Sequence, residues 1–154
     1  IDPKYPNAYI ALGFAFSEEA KKNEDESKQD TIDSRKQQNL IAKSQEFYAQ
    51  SAEYLKQATS LDDKNYDAWF RYASSLNVIK KYKDASVAAQ KCIELKKKFG
   101  GGWYELGIAE WENGKGRKER ALSHFAKSKK LDRNYRELAE RKIDEINRPE
   151  RYQK

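Results

Sequence analysis

Very few side chains in this 154-residue sequence have the chemistry that catalysis requires. His124 is the single histidine and Cys92 the single cysteine, and no Ser-His-Asp or Cys-His arrangement can be assembled around them. A zinc site of the usual kind needs three or four Cys and His ligands, so one of each is insufficient. We therefore predict a protein that is not an enzyme, with no cofactor and no metal site, in which His124 is solvated or lies between helices.

A glycine run, FGGGW at 99–103, raises the separate question of a phosphate-binding loop at a helix start. Such a loop follows a strand and carries a Lys followed by Ser or Thr, and this run has neither. We therefore expect 99–103 to be an extended or flexible turn. The many acidic side chains have Lys or Arg partners at the spacing of ion pairs on a helix surface, so they do not indicate acid–base catalysis.

The composition favours a folded, helical protein with a highly charged surface. Charged residues make up 36% of the chain and its mean hydropathy is −1.10, yet it has 10 Tyr, 6 Phe and 3 Trp, too many aromatic residues for a disordered polyampholyte. Only 3 Pro and 7 Gly interrupt residues that favour helix. The 31 basic residues are interspersed with 25 acidic ones, which disfavours nucleic-acid binding through Lys-rich turns such as 80–83.

The sequence offers little information on location. No apolar run approaches the length of about 18 residues that a transmembrane helix requires, so we expect no membrane span. There is no recognisable signal peptide, and there is no methionine at any position, including the first. We expect a piece of a longer protein, whose compartment, cytoplasmic or periplasmic, these residues do not specify.

One short pattern recurs along the chain: an aliphatic residue, a polar turn, and then an aromatic residue or alanine. Its copies are IDPKYPNAY (1–9), LDDKNYDAW (61–69), LKKKFGGGW (95–103) and LDRNYRELA (131–139), which begin 60, 34 and 36 residues apart. The third copy ends at Trp103, which forms W-x2-L-G with Leu106 and Gly107. Further along, Ala121 and Phe125 form A-x3-F. By this period and these motifs the sequence resembles the tetratricopeptide repeat family.

The resemblance covers about residues 6–135 and implies an all-α, right-handed superhelical solenoid of three helix pairs with a C-terminal capping helix. The implied organisation is a tail of a preceding repeat at 1–5, unit 1 at 6–65, unit 2 at 66–99, unit 3 at 100–135, a capping helix at 136–148 and a tail at 149–154. An apolar stripe in the capping helix agrees with this, and consists of Leu138, Ala139, Ile143 and Ile146. Cys92 stands where the family has a small residue between paired helices, so we expect it to be buried.

Unit 1 is 26 residues longer than a 34-residue repeat, and the excess forms an insertion at about 18–46. This stretch has no Pro or Gly and is rich in Glu, Lys, Gln and Ala, which favours helix. Two structures fit: a long helical hairpin with a loose tip, or a first helix that ends near Asn23 and is followed by a mobile loop. Asp30 or Asp33 can act as the N-cap of the returning helix. We favour the hairpin, which would serve as a docking arm or as a solvated extension.

In this family the first helix of each pair lines a concave groove, so the resemblance implies which side chains face it. Carried onto this sequence, they are Asn7, Ile10, Phe14 and Ser17 in unit 1, Asp67, Phe70, Arg71, Ser74 and Asn77 in unit 2, and Gly101, Tyr104, Glu105, Ile108 and Trp111 in unit 3. The predicted peptide-binding set is Ile10, Phe14, Phe70, Arg71, Ser74, Asn77, Tyr104, Ile108 and Trp111. Phe14, Phe70, Tyr104 and Trp111 are the predicted aromatic anchors, with Arg71 for polar orientation.

The sequence therefore predicts a non-enzymatic scaffold whose groove binds a peptide or helix from a protein partner of unspecified identity. Ile10 and Phe14 stand where chaperone-tail binders of the family carry a Lys and Asn clamp, which disfavours an acidic C-terminal peptide. Self-association, or packing within a longer repeat protein, is the alternative, since 1–9 reads as the end of an upstream repeat whose removal would leave an apolar face of the first helix uncovered. A purely structural alternative also stands, in which several groove aromatics pack on neighbouring helices.

Overall fold

The computed structural model describes residues 5–29, 31–114 and 117–152, and within these ranges 84% of the residues are helical and none lies in a strand. The all-α prediction is confirmed. The α-helices are α1 (Pro6–Ser27), α2 (Ser34–Leu61), α3 (Tyr66–Val78), α4 (Tyr82–Leu95), α5 (Gly100–Glu112), α6 (Lys118–Leu131) and α7 (Arg136–Asn147), with short 3-10 turns at Arg133–Tyr135 and Pro149–Arg151. The predicted tail at 1–5 lies almost wholly outside the described residues.

Polar side chains immediately before α2 and α3 start these helices. The carboxylate of Asp33 accepts a hydrogen bond from the backbone N–H of Lys36 at 2.8 Å, so Asp33 is an N-cap as predicted. The side chain of Asn65 accepts from the N–H groups of Asp67 and Ala68, both at 3.1 Å. These bonds satisfy N–H groups that the first turn of a helix otherwise leaves without a partner.

The insertion at 18–46 forms the two arms of a helical hairpin. α1 continues to Ser27, and a short turn leads into α2. Ser27 is buried, and its backbone carbonyl accepts a hydrogen bond from the Gln37 side chain at 3.0 Å, which joins the arms near the tip. Leu40 and Ser44 are buried as well, so the apolar and small stripe of α2 extends toward the tip. The chain therefore forms a hairpin here and not a long loop; Asp30 lies outside the described residues.

Each helix packs against its neighbours in the chain, and α3 also contacts both α1 and α5 directly. Short connections of this kind make consecutive helices antiparallel. One apolar cluster draws on α2 to α5 and contains Ala52, Ala73, Leu76, Ala85, Ala88, Ala89, Leu106 and Ala109. A second contains Ala121, Phe125, Ala139 and Ile146 of α6 and α7, with Tyr104 and Ile108 of α5 packed against it. The direct contacts make α1, α3 and α5 one contiguous layer.

The junctions between helix pairs repeat the same hydrogen bonds. The indole N–H of Trp69 donates to the backbone carbonyl of Asp63 at 2.9 Å, and that of Trp103 donates to the carbonyl of Lys97 at 2.8 Å. Donor and acceptor of the second bond each lie 34 residues after their counterparts in the first. The turns at these junctions also close alike, through backbone bonds from Asn65 to Asp62, Phe99 to Lys96 and Tyr135 to Asp132, at 3.4, 3.0 and 3.2 Å. The recurrence in sequence is thus a recurrence of local structure.

The FGGGW run does not form the flexible turn predicted for it. Gly100, Gly101 and Gly102 form the first turn of α5, and all three are buried. A β-carbon at Gly100 would collide with the side chain of Asp132, and one at Gly102 would lie 3.0 Å from the sulfur of Cys92. The prediction was wrong because glycine serves here to let helices approach closely, and its backbone freedom is not used.

Cys92 is fully buried between α4 and α5, which confirms its prediction as a packing residue. Burial raises the pKa of its thiol to about 12, so the reactive thiolate is suppressed. In α7, Ala139 and Ile146 are buried, and Ile143 packs against them in part. Leu138 was wrongly included in this stripe, since it is 39% exposed; it adjoins Ala139 in sequence, and successive residues point about 100° apart around a helix.

Candidate protein-binding cleft

The nine predicted groove residues lie on the three helices of the contiguous layer. They are Ile10 and Phe14 on α1, Phe70, Arg71, Ser74 and Asn77 on α3, and Tyr104, Ile108 and Trp111 on α5. Spacings of three and four residues keep the members on each helix close to one face. Their surroundings differ sharply, however, and the structure separates them into an α1–α3 contact, a ring cluster, a cleft and an isolated tryptophan.

The contact between α1 and α3 is a cation–π interaction between Arg71 and Phe14. The guanidinium of Arg71 lies 4.6 Å from the centroid of the Phe14 ring, and its Nε donates to the Asp67 carboxylate at 2.7 Å. Phe14 remains 43% exposed, so this ring has free surface beside a charged group. Ile10 lies one turn earlier on α1 and is half-buried. This part of the face has both an apolar and a polar element, the combination that anchors partner side chains at interfaces.

The ring cluster contains Phe70, which therefore does not stand free in a groove. Its ring meets those of Phe99 at 5.0 Å and Tyr135 at 6.3 Å, both edge to face. Tyr104 lies 5.6 Å from Tyr135 and 5.6 Å from Phe125. Burial raises the pKa of the Tyr104 phenol to about 12. For Phe70 and Tyr104, packing on neighbouring helices is the better description, and Tyr135, which joins them, was not anticipated as part of this face.

Beside these rings a cleft of about 390 Å³ opens between α3 and α5 and is bounded on one side by α7. Its lining contains Ser74, Asn77, Val78, Tyr82, Tyr104, Glu105, Ile108, Glu112 and Lys142. Four predicted groove residues, Ser74, Asn77, Tyr104 and Ile108, are thus brought together. Lys142 was missed, because a polar residue on a capping helix gives no sequence signal that it borders a cleft. A space of this size falls in the range of small binding sites.

The floor of the cleft is polar and buried. The side-chain amide of Asn77 donates to Oε2 of Glu105 at 2.8 Å and to the Glu105 backbone carbonyl at 3.0 Å. Each of the two residues is only 7% exposed, which corrects the expectation that both face solvent. Their polar atoms can be buried because they bond to each other across α3 and α5. Gly101, which was also expected to face the groove, is buried beneath the rings of Phe99 and Phe70.

The carboxyl group of Glu105 has an unusual proton affinity. Loss of hydration on burial raises its pKa to about 7, while hydrogen bonds from Asn77 and Ser74 oppose this rise. The oxygen Oδ1 of Asn77 is buried and has no hydrogen-bond partner in the described part of the chain. The cleft lining therefore includes one acceptor atom without a donor, next to a carboxyl group that changes charge near neutral pH.

Trp111, the fourth predicted anchor, lies near the end of α5. It is 36% exposed and does not line the cleft. Of the four aromatic anchors predicted, Phe14 and Trp111 therefore keep the larger free surfaces.

A second buried carboxylate lies between α5 and α6. Glu110 is 1% exposed and accepts a charged hydrogen bond from Arg120. His124 Nε2 lies 3.6 Å from the other Glu110 oxygen, and its ring centroid is 5.5 Å from that of Trp103. Burial lowers the pKa of His124, opposed by the nearby Glu110 charge. His124 therefore lies between helices, one of the two environments predicted for it.

Comparison with known proteins gives no assignment: no family model matches the chain, and no curated protein matches it. Among the helices of 5–29, 31–114 and 117–152, none has an apolar stretch long enough to cross a bilayer. Within the same ranges, no three His, Cys, Asp or Glu side chains are grouped so that they could hold a metal ion.

Proposed function

We propose that the chain is a tetratricopeptide-type solenoid that acts as a non-enzymatic scaffold and binds a peptide or helix of a partner protein across α1, α3 and α5. The observation that carries this proposal is the cleft between α3 and α5, in which Ser74, Asn77, Tyr104 and Ile108 come together. Clefts with apolar walls and a few polar groups are the usual form of such sites.

The repeat assignment is supported by the duplicated junction. Trp69 and Trp103 make the same bond 34 residues apart, and three junction turns close with the same i to i−3 backbone bond. Independent occurrence of these matches in a non-repetitive helical protein is hard to explain. The proposed units are 6–65 with the hairpin, 66–99 and 100–135, followed by a capping helix at 136–148.

The binding assignment is also supported by exposed aromatic side chains that lie outside the cleft. Phe14, beside Arg71, and Trp111 expose large apolar surfaces on the same layer of helices. Aromatic residues and arginine are the types that most often dominate binding energy at protein interfaces. We expect the partner segment to contact Phe14 and the cleft, with Trp111 contributing where the segment extends along α5.

The test is selection of random displayed peptides on the immobilised chain, followed by affinity measurement against three forms. Ser74→Arg fills the cleft with a long side chain, and Val87→Arg adds the same side chain on α4, where Val87 is 60% exposed. We expect selected peptides to bind the wild type and Val87→Arg equally, and to lose at least about tenfold in affinity for Ser74→Arg. Circular dichroism establishes that both variants keep their helical content.

Two results contradict the proposal. One is that no peptide is enriched above an unrelated helical protein of similar charge. The other is that enriched peptides bind Ser74→Arg as tightly as the wild type, because their site would then lie elsewhere. Substitution of Phe14 by Ala further separates the cleft from the α1–α3 contact, since loss there without loss at Ser74→Arg moves the site to α1.

Self-association is a second candidate, and one observation favours it. Leu61 is 47% exposed and lines a hollow of about 250 Å³ together with Tyr9, Glu53, Lys56, Gln57 and Ser60. Sedimentation velocity over a wide concentration range tests this on the wild type and on Leu61→Glu. A monomer at every concentration removes the candidate, whereas a dimer that Leu61→Glu dissociates supports it.

A further inference from the structure

The buried carboxyl group of Glu105 has no cationic partner within the described residues, whose ion pairs all involve other acidic groups. The nearest cationic candidates are already engaged. Arg71 donates to Asp67 at 2.7 Å, and Lys142, which borders the cleft, lies 2.6 Å from Glu145. Buried carboxylates in proteins are normally paired or bound to cations, so the lack of a cationic partner for Glu105 among these residues needs an explanation.

The hydrogen-bonding inventory points in the same direction. The side-chain nitrogen of Asn77 donates both of its hydrogen bonds to Glu105, while the side-chain oxygen Oδ1 is buried without a partner. Ser74 also reaches the Glu105 carboxyl group and lines the cleft. Glu105, Asn77 and Ser74 all line the cleft, and their carboxylate, amide and hydroxyl oxygens can all accept hydrogen bonds. A ligand that satisfies them must supply several donors from a compact group.

We propose that this cleft binds the ammonium group of a lysine side chain of the partner segment. An ammonium group has three donors, which match the carboxylate of Glu105, Oδ1 of Asn77 and the hydroxyl of Ser74. Tyr104, Ile108 and Val78 line the same cleft and provide contacts for the four methylene groups of lysine. This proposal rests on the proposed function, since it names the residue that the partner inserts.

The charge state of the cleft makes the interaction depend on pH. Glu105 must be ionised to attract the ammonium group, and its pKa is raised to about 7, chiefly by burial. Glu112 of α5 and Lys142 of α7 line the cleft with Glu105, as does Tyr82 of α4, the pKa of whose phenol is raised by burial. The Glu105 charge also acts on the phenols of Tyr104 and Tyr135 and on the thiol of Cys92, which stay neutral because burial raises the pKa of each. The other charges that act on these three groups belong to Asp67, Arg71, Lys96, Asp132, Arg141 and Glu145. Lysine keeps its charge up to about pH 10, so binding strengthens as pH rises through about 7.

The direct test uses n-butylammonium as a mimic of the lysine side chain and follows the backbone amide signals of the labelled protein by NMR. Small ligands bind weakly, so the titration extends to about 100 mM. We expect saturable shifts at Ser74, Asn77 and Ile108 at about pH 8, weaker binding at about pH 5.5, and none with n-butanol, which lacks the charge. Spermidine, which carries three charged amino groups, is titrated in parallel. If its affinity per charged group exceeds that of n-butylammonium, the cleft is assigned to a polyamine and the lysine proposal is overturned.

Glu105→Gln and Glu112→Gln form the matched pair of variants. Both remove one carboxylate from the cleft lining, but Glu112 is exposed at the rim whereas Glu105 is on the buried floor. We expect Glu105→Gln to weaken n-butylammonium at least about tenfold and Glu112→Gln about twofold or less, since a desolvated charge attracts more strongly. Equal effects, or saturable binding that survives Glu105→Gln, would overturn the proposal.

The same variants separate this inference from the proposed function. Peptides selected on the wild-type chain should be enriched in lysine, and their affinity should fall when that lysine is replaced by norleucine. If the peptides bind in the cleft by the Ser74→Arg criterion and norleucine binds as well as lysine, the lysine proposal fails and the scaffold proposal stands. If n-butylammonium binds in the cleft but no peptide does, the scaffold proposal fails, and the partner lysine fails with it although the cleft binds an ammonium group.

Discussion

Asn77 on α3 holds Glu105 on α5 by two hydrogen bonds from one amide nitrogen, 2.8 Å to the carboxylate and 3.0 Å to the backbone carbonyl. The pair joins two helices of the layer that carries the proposed binding face. It also places an ionisable group where water is largely excluded, and burial raises the pKa of Glu105 to about 7. Stability and binding are therefore linked to the same proton.

The first prediction concerns this proton. The unfolded chain ionises Glu105 near its ordinary pKa of about 4.5, whereas the folded chain retains the proton to about pH 7. The folded state binds more protons across this window, so the Glu105 contribution to stability is fully present below pH 4.5 and is lost as pH rises through about 7. A shift of this size corresponds to roughly 3 kcal/mol.

We therefore expect Glu105→Gln to be close to the wild type in free energy of unfolding at about pH 4.5 and more stable by roughly 3 kcal/mol at about pH 8. Urea titrations of both proteins across this range measure the difference. The lowered pKa of His124 has the opposite effect, since it decreases stability as pH falls. This contribution is the same in both proteins and cancels in the difference. A difference that does not vary with pH would show that Glu105 titrates alike in the folded and unfolded chain.

The second prediction concerns the contact of Gly13 with Leu55 at the base of the hairpin. A β-carbon at Gly13 would lie 2.5 Å from Cγ of Leu55, which is fully buried and cannot move aside freely. We expect Gly13→Ala to lower the free energy of unfolding by about 1–3 kcal/mol, in spite of the higher helix propensity of alanine. Ala11→Ser, at an exposed site of the same helix, should change it by less than about 0.5 kcal/mol.

The cause of this loss can be checked through Leu55. Leu55→Val removes a methylene group from the contact and should recover part of the stability in the Gly13→Ala background, although it destabilises the protein with Gly13 intact. Thermal and urea unfolding of the four proteins give the coupling energy. Strictly additive effects would mean that the added methyl group meets something other than Leu55.

Much of the fold follows from periodicity. Trp69 and Trp103 recur 34 residues apart in sequence and make equivalent bonds, because like local sequences direct the chain into like turns. The uninterrupted helix-forming composition of 18–46 likewise favoured the hairpin, and Asp33 supplied its cap. Cys92 was predicted as buried from its register alone. These are local properties, or properties of one helix face, which a sequence carries directly.

The cleft could be predicted only in part, because its character depends on partners distant in sequence. Asn77 and Glu105 are polar, and polarity alone predicts exposure; their burial results from the bonds that they make to each other across 28 residues. Lys142 reaches the cleft only because α7 packs beside α5 and α6. Gly100 was mistaken for a flexible turn since sequence does not show that Asp132 lies against it.

The third prediction concerns a buried hydroxyl pair that joins three helices. Ser51 donates to the backbone carbonyl of Gly13 at 2.7 Å and lies 2.9 Å from the hydroxyl of Ser75. We expect Ser51→Ala to cost about 1–3 kcal/mol, since it removes the buried partner of the Ser75 hydroxyl on α3 and the second hydrogen bond to the Gly13 carbonyl on α1. Ser60→Ala on the exposed side of α2 is the control, with an expected change below about 0.5 kcal/mol.

The pair also predicts coupling. If Ser51 and Ser75 stabilise each other, the double variant Ser51→Ala/Ser75→Ala should lose less than the sum of the single variants, by about 1 kcal/mol. Urea unfolding of the four proteins provides the cycle. Coupling within experimental error of zero would show that the two hydroxyl groups do not bond to each other.

The fourth prediction concerns the carboxylate of Glu110, which Arg120 neutralises from the surface. Glu110 is 1% exposed whereas the Arg120 side chain is 62% exposed, so loss of the arginine leaves a buried charge with His124 as its nearest remaining partner. We expect Arg120→Gln to destabilise the protein by about 2–3 kcal/mol, less than for a pair buried on both sides because solvent screens the arginine. Glu110→Gln/Arg120→Gln should recover most of this loss, because it removes the unpaired charge together with its partner.

Arg117→Gln, one turn earlier and outside this contact, is the matched control for the change in net charge. If the double variant is no more stable than Arg120→Gln alone, the arginine acts through packing of its methylene groups and not through the charge of Glu110.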